Sequence, residues 1–194
     1  MWALKLGGSI LHPEAYDPLA AARHGLFDAL RRQPGRFLLV PGGGRHADAV
    51  RAMQRKEGFD DDTAHVRALA AMDLCASELA DLLAGTARVI TRLTDAPALA
   101  AVGSTPVWAP HAELADDRTL PRNWGFTSDS IAALAARRLG LMGVVLLKSC
   151  AIPRDASAEQ LAAAGIVDIE WPRQSAGLTT RALGPADWAD LLRR

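Results

Sequence analysis

Trp2-Ala3-Leu4-Lys5-Leu6-Gly7-Gly8-Ser9 decides the fold, together with its partner Arg36-Phe37-Leu38-Leu39-Val40-Pro41-Gly42-Gly43-Gly44. Each is a short apolar run without polar alternation, as expected of a strand buried on both faces. Each ends in a glycine cluster and then enters a helical pattern. A strand-to-helix turn without side chains lets backbone N–H groups close on an anion, and the helix N-terminus favours negative charge. One such turn is common. Two in a short chain point to two anions, or to the two ends of one polyphosphate. Ligands of open α/β sheets sit beyond the carboxyl ends of the strands, where both clusters fall. Neither cluster is a P-loop or a G-x-G-x-x-G dinucleotide turn. The plain alternative is that the glycines only make tight turns.

Outward from these turns, apolar runs and helical patterns alternate. Helices are expected over Pro18–Leu30, from His46 to Lys56, and from Ala64 to Leu83 after the start signal Asp60-Asp61-Asp62-Thr63. Strands are expected at Arg88–Thr91, Thr105–Trp108 and Gly143–Lys148, with an edge strand at Leu178–Leu183. Asp116–Gly125 has loop composition. Ser128 or Asp129 caps a helix that ends at Gly140. Ser157 and Gln160 have capping-box spacing for a helix closed by Gly165. Ile166–Ile169 reads as short and extended, and Pro185 opens a last helix over Ala186–Leu192. The pattern predicts an α/β fold, a three-layer α/β/α sandwich with a mostly parallel central sheet.

Composition bounds the function. The chain has 194 residues, 49% hydrophobic and 23% charged, which fits one globular domain over 1–194. Basic and acidic residues balance at 22 each, against a nucleic-acid binder acting through a general basic field. No apolar run approaches the roughly 18 residues of a membrane span. No secretory signal is expected, because Gly7-Gly8 interrupts the first apolar run. Cys75 and Cys150 are neither a disulfide framework nor a zinc pattern; a reducing cytoplasm fits, and both read as core residues.

Lysine usage is more informative. Of the 22 basic residues only Lys5, Lys56 and Lys148 are Lys. A compact ammonium can approach a phosphate end-on where a guanidinium cannot. Lys56 lies in the charged stretch Gln54-Arg55-Lys56-Glu57 and reads as a surface residue. Lys5 and Lys148 lie in apolar runs and become candidate site residues.

In Lys5-x-Gly7-Gly8-Ser9, in Leu38-Leu39-Val40-Pro41-Gly42-Gly43-Gly44, in Thr127-Ser128-Asp129-Ser130-Ile131-Ala132-Ala133 and in Val144-Val145-Leu146-Leu147-Lys148-Ser149, the chain resembles the amino acid kinase superfamily. Order and spacing agree over most of the chain. The resemblance implies transfer of the γ-phosphoryl of ATP, with Mg2+, to a carboxylate or phosphate oxygen. It implies that Lys5 meets the transferring phosphoryl group and that Gly7, Gly8 and Ser9 donate to the ATP phosphates. By the same carry-over Gly42, Gly43 and Gly44 hold the acceptor, and Asp129 organises the lysines. No protein metal ligand is implied. A sheet-extending homodimer is common in the superfamily, so a homo-oligomer is expected, with a small phosphorylated molecule as partner.

The chain departs from the pattern in two ways. It is short for the superfamily, so the substrate-covering hairpins are expected to be trimmed. The late Gly-rich segment with a second Lys is missing, which makes Lys148 the candidate second cation, with Arg154 or Arg173 as competitors. Lys148-Ser149-Cys150-Ala151-Ile152-Pro153 also lacks the usual Thr-Asp of the purine side.

Among the branches, the short chain, the Leu146-Leu147-Lys148-Ser149 run and Gly165-Ile166-Val167-Asp168 are most similar to the aminomethylfuran phosphate kinases of methanofuran biosynthesis and their methylotroph relatives. That likeness implies a furan-amine phosphomonoester converted to its diphosphate. A flat acceptor could stack on Trp124 or Trp108, with Asp48 or Asp73 meeting the amine. Isopentenyl phosphate kinases use a His at the acceptor phosphate, for which His46 and His65 are candidates, although His65 reads as a surface or satisfied residue. Asp168 is a further candidate. Other readings are a kinase for an amino-acid carboxylate, UMP or isopentenyl phosphate, a dinucleotide oxidoreductase, and a non-catalytic anion-binding protein.

Overall fold

The structure is a computed structural model that describes residues 1–12 and 17–192. Six strands, β1 (Trp2–Leu6), β2 (Phe37–Pro41), β3 (Ala87–Ile90), β4 (Thr105–Trp108), β5 (Val144–Leu147) and β6 (Thr180–Leu183), form one sheet. Its order is β3-β4-β2-β1-β5-β6, with every pairing parallel. The chain works outward from β1 through β2 to β4 and β3, then returns to the other side of β1 with β5 and β6. The switch in direction therefore falls at β1, and a crevice opens above the carboxyl ends of β2, β1 and β5.

The helices are α1 (Gly8–Leu11), α2 (Ala20–Arg32), α3 (Gly44–Glu57), α4 (Asp61–Leu82), α5 (Ala96–Ala101), α6 (His111–Leu114), α7 (Ser128–Leu139), α8 (Ala158–Ala163) and α9 (Trp171–Ser175). They cover both faces of the sheet. One core holds Ala3, Leu38, Val40, Val144 and Leu146 under α7, α9 and Leu69 and Met72 of α4. The other holds Leu4, Leu6, Leu39, Val145 and Leu147 under α2 and the later part of α4. Successive strand residues point to opposite faces. Lys5 therefore shares the face of Ala3, and Lys148, continuing β5, shares that of Leu146. Both ammoniums are directed toward α7. That helix packs closely because Ala132, Ala133, Ala135 and Ala136 are fully buried, with no side chain long enough to hold it off.

The termini of the elements follow local chemistry. Asp60 caps α4, accepting from the Thr63 N–H at 2.8 Å. Ser157 and Gln160 complete the capping box of α8. Gly140, in the left-handed region at φ 59°, ends α7. The structure corrects two sequence expectations: the N-cap of α7 is Thr127 rather than Ser128 or Asp129, and a segment expected to be extended is a turn. Ile166–Ile169 is not extended; it is a bend and turn after α8 that buries Val167 in the core. The expected final helix is present over Pro185–Leu192, as a 3-10 helix. The short α1, α5, α6 and α9, and the 3-10 turn Leu93–Asp95, were not legible. None of them is long enough to show a periodicity.

Candidate active site

The crevice is organised by one buried carboxylate. Asp129, in the first turn of α7, is 3.0 Å from Lys5 Nζ through Oδ1. Lys148 Nζ donates to both of its oxygens at 2.8 Å. Oδ2 also accepts from the Asp168 N–H at 3.3 Å. Burial opposes the charge of Asp129, but Lys5 and Lys148 together hold its carboxyl below the usual range. Burial, followed by the Lys5 ammonium, pushes Lys148 down against the pull of Asp129. Two ammoniums share the Asp129 carboxylate in a low-dielectric cleft, with neither of them matched to an acid of its own there. An incoming polyanion would pair with both.

Asp168 is the second carboxylate of the cleft, and it supports the first. It accepts from the N–H groups of Thr127 (2.9 Å) and Ser130 (3.0 Å), which begin α7, and from both of their hydroxyls. It is a remote cap for a helix whose own N-cap Thr127 makes no side-chain cap bond. Burial pushes its carboxyl up, against the hydrogen bonds from Ser130 and Thr127. The turn that replaced the expected strand at Ile166–Ile169 is what brings Asp168 here.

Two cavities meet at the lysines. One, of about 390 Å³, is bounded by Gly42, Gly43, Gly44, Asp48, His65 and Trp124. The other, of about 480 Å³, is bounded by Gly7, Ser149, Cys150 and Ala151. Lys5, Gly8, Ser9 and Lys148 border both. The turns that separate the cavities are pressed together: a Cβ on Gly8 would overlap the Gly44 Cα and N. Gly44 itself has φ +49°, a conformation that favours glycine. Ser9 and Ser149 hydroxyls are 2.8 Å apart across the mouth of the second cavity. α3 begins at Gly44, which borders the first cavity, so the N-terminus of that helix, with its N–H groups that have no intrahelical partners, starts at the cavity wall.

All the candidate residues Lys5, Gly7, Gly8, Ser9, Gly42, Gly43, Gly44, Asp48, Trp124, Asp129 and Lys148 line one cavity or both. The Trp124 indole donates to Gln54 at 2.6 Å, and the Arg51 guanidinium lies 4.3 Å over one face of its ring. Asp48 is exposed and paired with Arg51 at 3.0 Å. Several secondary candidates fall elsewhere. Trp108 is fully buried and bonded to Glu113, a core residue of β4 rather than a stacking platform. Asp73 accepts from the His111 N–H at 3.1 Å and lines neither cavity. His46 turns away from the cleft to Glu78, at 3.0 Å. Arg173 pairs with Glu170, and neither it nor Arg154 reaches a cavity.

Two residues differ from their sequence reading. His65 is buried, and among the described residues its Nε2 has no hydrogen-bond partner, although it lines the first cavity. Burial, and then Arg122, push His65 down against the pull of Asp62, and this downward shift favours its neutral form. Cys150 is exposed at the second cavity, not core. Cys75 is core, and burial pushes its thiol up to about 12.

The fold is that of known phosphotransferases. Uridylate kinase from Archaeoglobus fulgidus superposes with a TM-score of 0.66 at 18% identity, over 100% of this chain and 96% of that one. UMP kinase from Bacillus anthracis gives 0.65 at 12% identity, over 98% and 89%. An isopentenyl phosphate kinase gives 0.65 at 13% identity, over 100% and 97%. No protein-family model and no curated protein matches the chain. At these identities the likeness is one of fold, and it agrees with the α/β sandwich expected from the sequence. No helix of the described residues is long and apolar enough to cross a membrane.

Proposed function

We propose that the chain is an ATP-dependent kinase that moves the γ-phosphoryl of ATP to a phosphate oxygen of a small acceptor. The observation that carries this reading is the pair of cavities that meet at the Lys5–Asp129–Lys148 cluster, each entered by its own glycine turn. The second cavity, behind Gly7, Gly8 and Ser9, takes the nucleotide phosphates. The first, behind Gly42, Gly43 and Gly44, takes the acceptor phosphate. Phosphoryl transfer asks for positioning and charge neutralisation more than covalent chemistry. Lys5 and Lys148 supply the charge at the boundary where the phosphoryl group would pass. Asp129 is fully engaged by two ammoniums and an amide, so it positions the lysines and is not a base.

Neither Asp129 nor Asp168, the carboxylates beside the lysines, is free to ligate Mg2+, since Asp129 holds the lysines and Asp168 caps α7. The ion would arrive as MgATP on phosphate oxygens and water, as Mg2+ commonly does, screening the phosphate charge.

A phosphate acceptor is favoured over a carboxylate because the fold neighbours are, by name, kinases of uridylate, UMP and isopentenyl phosphate. Within that class we favour a flat, amine-bearing phosphomonoester of the aminomethylfuran phosphate type, converted to its diphosphate. The open face of Trp124 would take the ring, Asp48 would exchange Arg51 for the amine, and His65 would hydrogen-bond a polar group of the acceptor. The test is ATP turnover with Mg2+ across UMP, isopentenyl phosphate, aminomethylfuran phosphate, acetylglutamate, aspartate and glutamate. Turnover with the furan phosphate alone supports the narrow reading. Turnover with another acceptor keeps the kinase and removes the furan. Tight MgATP binding without turnover favours an anion-binding protein, and no ATP binding overturns the kinase reading.

Two substitutions separate the cavities. Trp124→Ala is expected to raise KM for the acceptor about tenfold, the equivalent of one stacking contact, with KM for ATP unchanged. An unchanged acceptor KM would place the ring elsewhere. Gly8→Ala is expected to push the two glycine turns apart. A displacement near 1 Å at a transfer site costs about 10²-fold in kcat. Full kcat in a folded Gly8→Ala protein would show that the turns need not touch.

A further inference from the structure

Outside both cavities, residues from three helices converge beneath the glycine turns. His12 follows α1, His46 lies in the first turn of α3, and Cys75 and Glu78 stand three residues apart on one face of α4. One donor atom from each lies within 4.8 Å of every other. His12 Nε2 is 2.5 Å from Glu78 Oε2, and His46 Nε2 is 3.0 Å from Glu78 Oε1. The two imidazoles stand edge to face, with centroids 5.4 Å apart. Cys75 is fully buried, and the His12 side chain is only 12% exposed. Among the described residues the buried His12 Nδ1 has no hydrogen-bond partner.

We infer that His12, His46, Cys75 and Glu78 form a structural site for a borderline transition-metal ion, with Zn2+ as the ion the donors suit best. Two imidazoles, one thiolate and one carboxylate make a four-coordinate set without an open position, which is the form of a closed, structural zinc site. The nitrogen and sulfur donors select against Mg2+, which takes oxygen ligands in an octahedron, so the site is distinct from any ion carried by ATP. Closing 4.8 Å to the spacing of a tetrahedron requires small side-chain movements. Arg45, which also pairs with Glu78 at 3.0 Å, is 66% exposed and can withdraw into solvent. None of the four ligands lines a cavity. The ion would act through the backbone, tying the helices that follow Gly8 and Gly44 to α4 and so holding the two glycine turns in register.

The test uses the full chain without a histidine tag, stripped with a chelator and titrated with Co2+ and then Zn2+. One Co2+ per chain is expected, with the visible bands of tetrahedral cobalt and a near-ultraviolet thiolate-to-cobalt band, both erased by one equivalent of Zn2+. Cys75→Ser should lose the near-ultraviolet band, and His46→Ala should bind at least ~10-fold more weakly. Circular dichroism of each variant confirms that it is folded. Absence of stoichiometric binding in the unmodified chain, or a cobalt spectrum without the thiolate band, overturns the proposal and leaves an ion-paired cluster. The readout does not involve phosphoryl transfer, so it stands or falls independently of the kinase reading.

Discussion

Asp129→Asn is expected to destabilise the protein by about 3–5 kcal/mol, the usual cost of removing one partner of a buried charge pair. For a chain of this size that is a fall in Tm of roughly 6–20 °C. Asp129 is buried and is the counter-ion of both Lys5 and Lys148. Asn keeps the volume and can still accept one hydrogen bond, so packing is preserved and only the charge is lost. What remains is two ammoniums facing each other in a cleft without a carboxylate between them. The pH dependence identifies the cause. In the unmodified protein the Asp129 carboxyl is held below its ordinary value of 3.8. Its contribution is present above that value and is lost as pH falls through the lower, folded one. In the variant the acid dependence weakens and an alkaline one grows. Lys148 already lies below 10.5 through burial and through Lys5, and loses Asp129, the stronger of the two carboxylates that pull it back up, with Asp168 remaining. The unfolded chain then binds more protons between the depressed value and 10.5, so stability rises with pH across that window. Thermal melts of both proteins across pH measure this. A variant melting within 2 °C of the parent, with the same pH profile, would show that the cluster is solvated and carries little.

Much of this centre was legible because its chemistry is local in the chain. The glycine turns, the scarcity of Lys in an Arg-rich sequence, and the Asp at the head of a small-residue helix each sit within a few residues. The period of two along β1 and β5 then delivers the side chains to one face. What was not legible depends on contacts between distant segments. Ile166-Val167-Asp168-Ile169 has strand-like composition, but Gly165 at φ +67° turns the chain, and Asp168 is drawn to the four donors at the head of α7. Trp108 was a candidate only as a ring on which a flat acceptor could stack; Glu113, in α6, takes its N–H, and the ring is buried in the core. His65 looked like a surface or satisfied residue on a helix, and only the closing of Phe126 and its neighbours over α4 leaves it buried with a bare nitrogen. The His12, His46, Cys75 and Glu78 cluster is the extreme case. Counting cysteines gave no zinc pattern, because the four ligands come from three helices and only Cys75 and Glu78 are near in sequence.

Lys5→Ala and Lys148→Ala are each expected to lower kcat by about 10²–10³-fold, the effect of removing one preorganised charge from a developing anion. The readout is kcat against KM with whichever acceptor the panel identifies. A charge used mainly in the transition state lowers kcat and kcat/KM together, whereas one used only to hold ATP raises KM alone. The losses should not add in the double variant, because both ammoniums act on one phosphoryl group through the same carboxylate. Arg at either position should not restore the rate: a guanidinium is planar and broad, and the space between Asp129 and the glycine turns is set for a compact head group. Folding separates this prediction from the first. Removing Lys5 leaves Asp129 with both oxygens on Lys148 at 2.8 Å, a one-to-one pair, so Lys5→Ala relieves charge repulsion and should melt close to the parent. Asp129→Asn should therefore damage stability, and Lys5→Ala should damage turnover in a protein that stays folded. A Lys5→Ala protein that keeps kcat within about threefold would remove the phosphoryl group from this boundary. It would leave the two glycine turns as anion sites without a transfer between them.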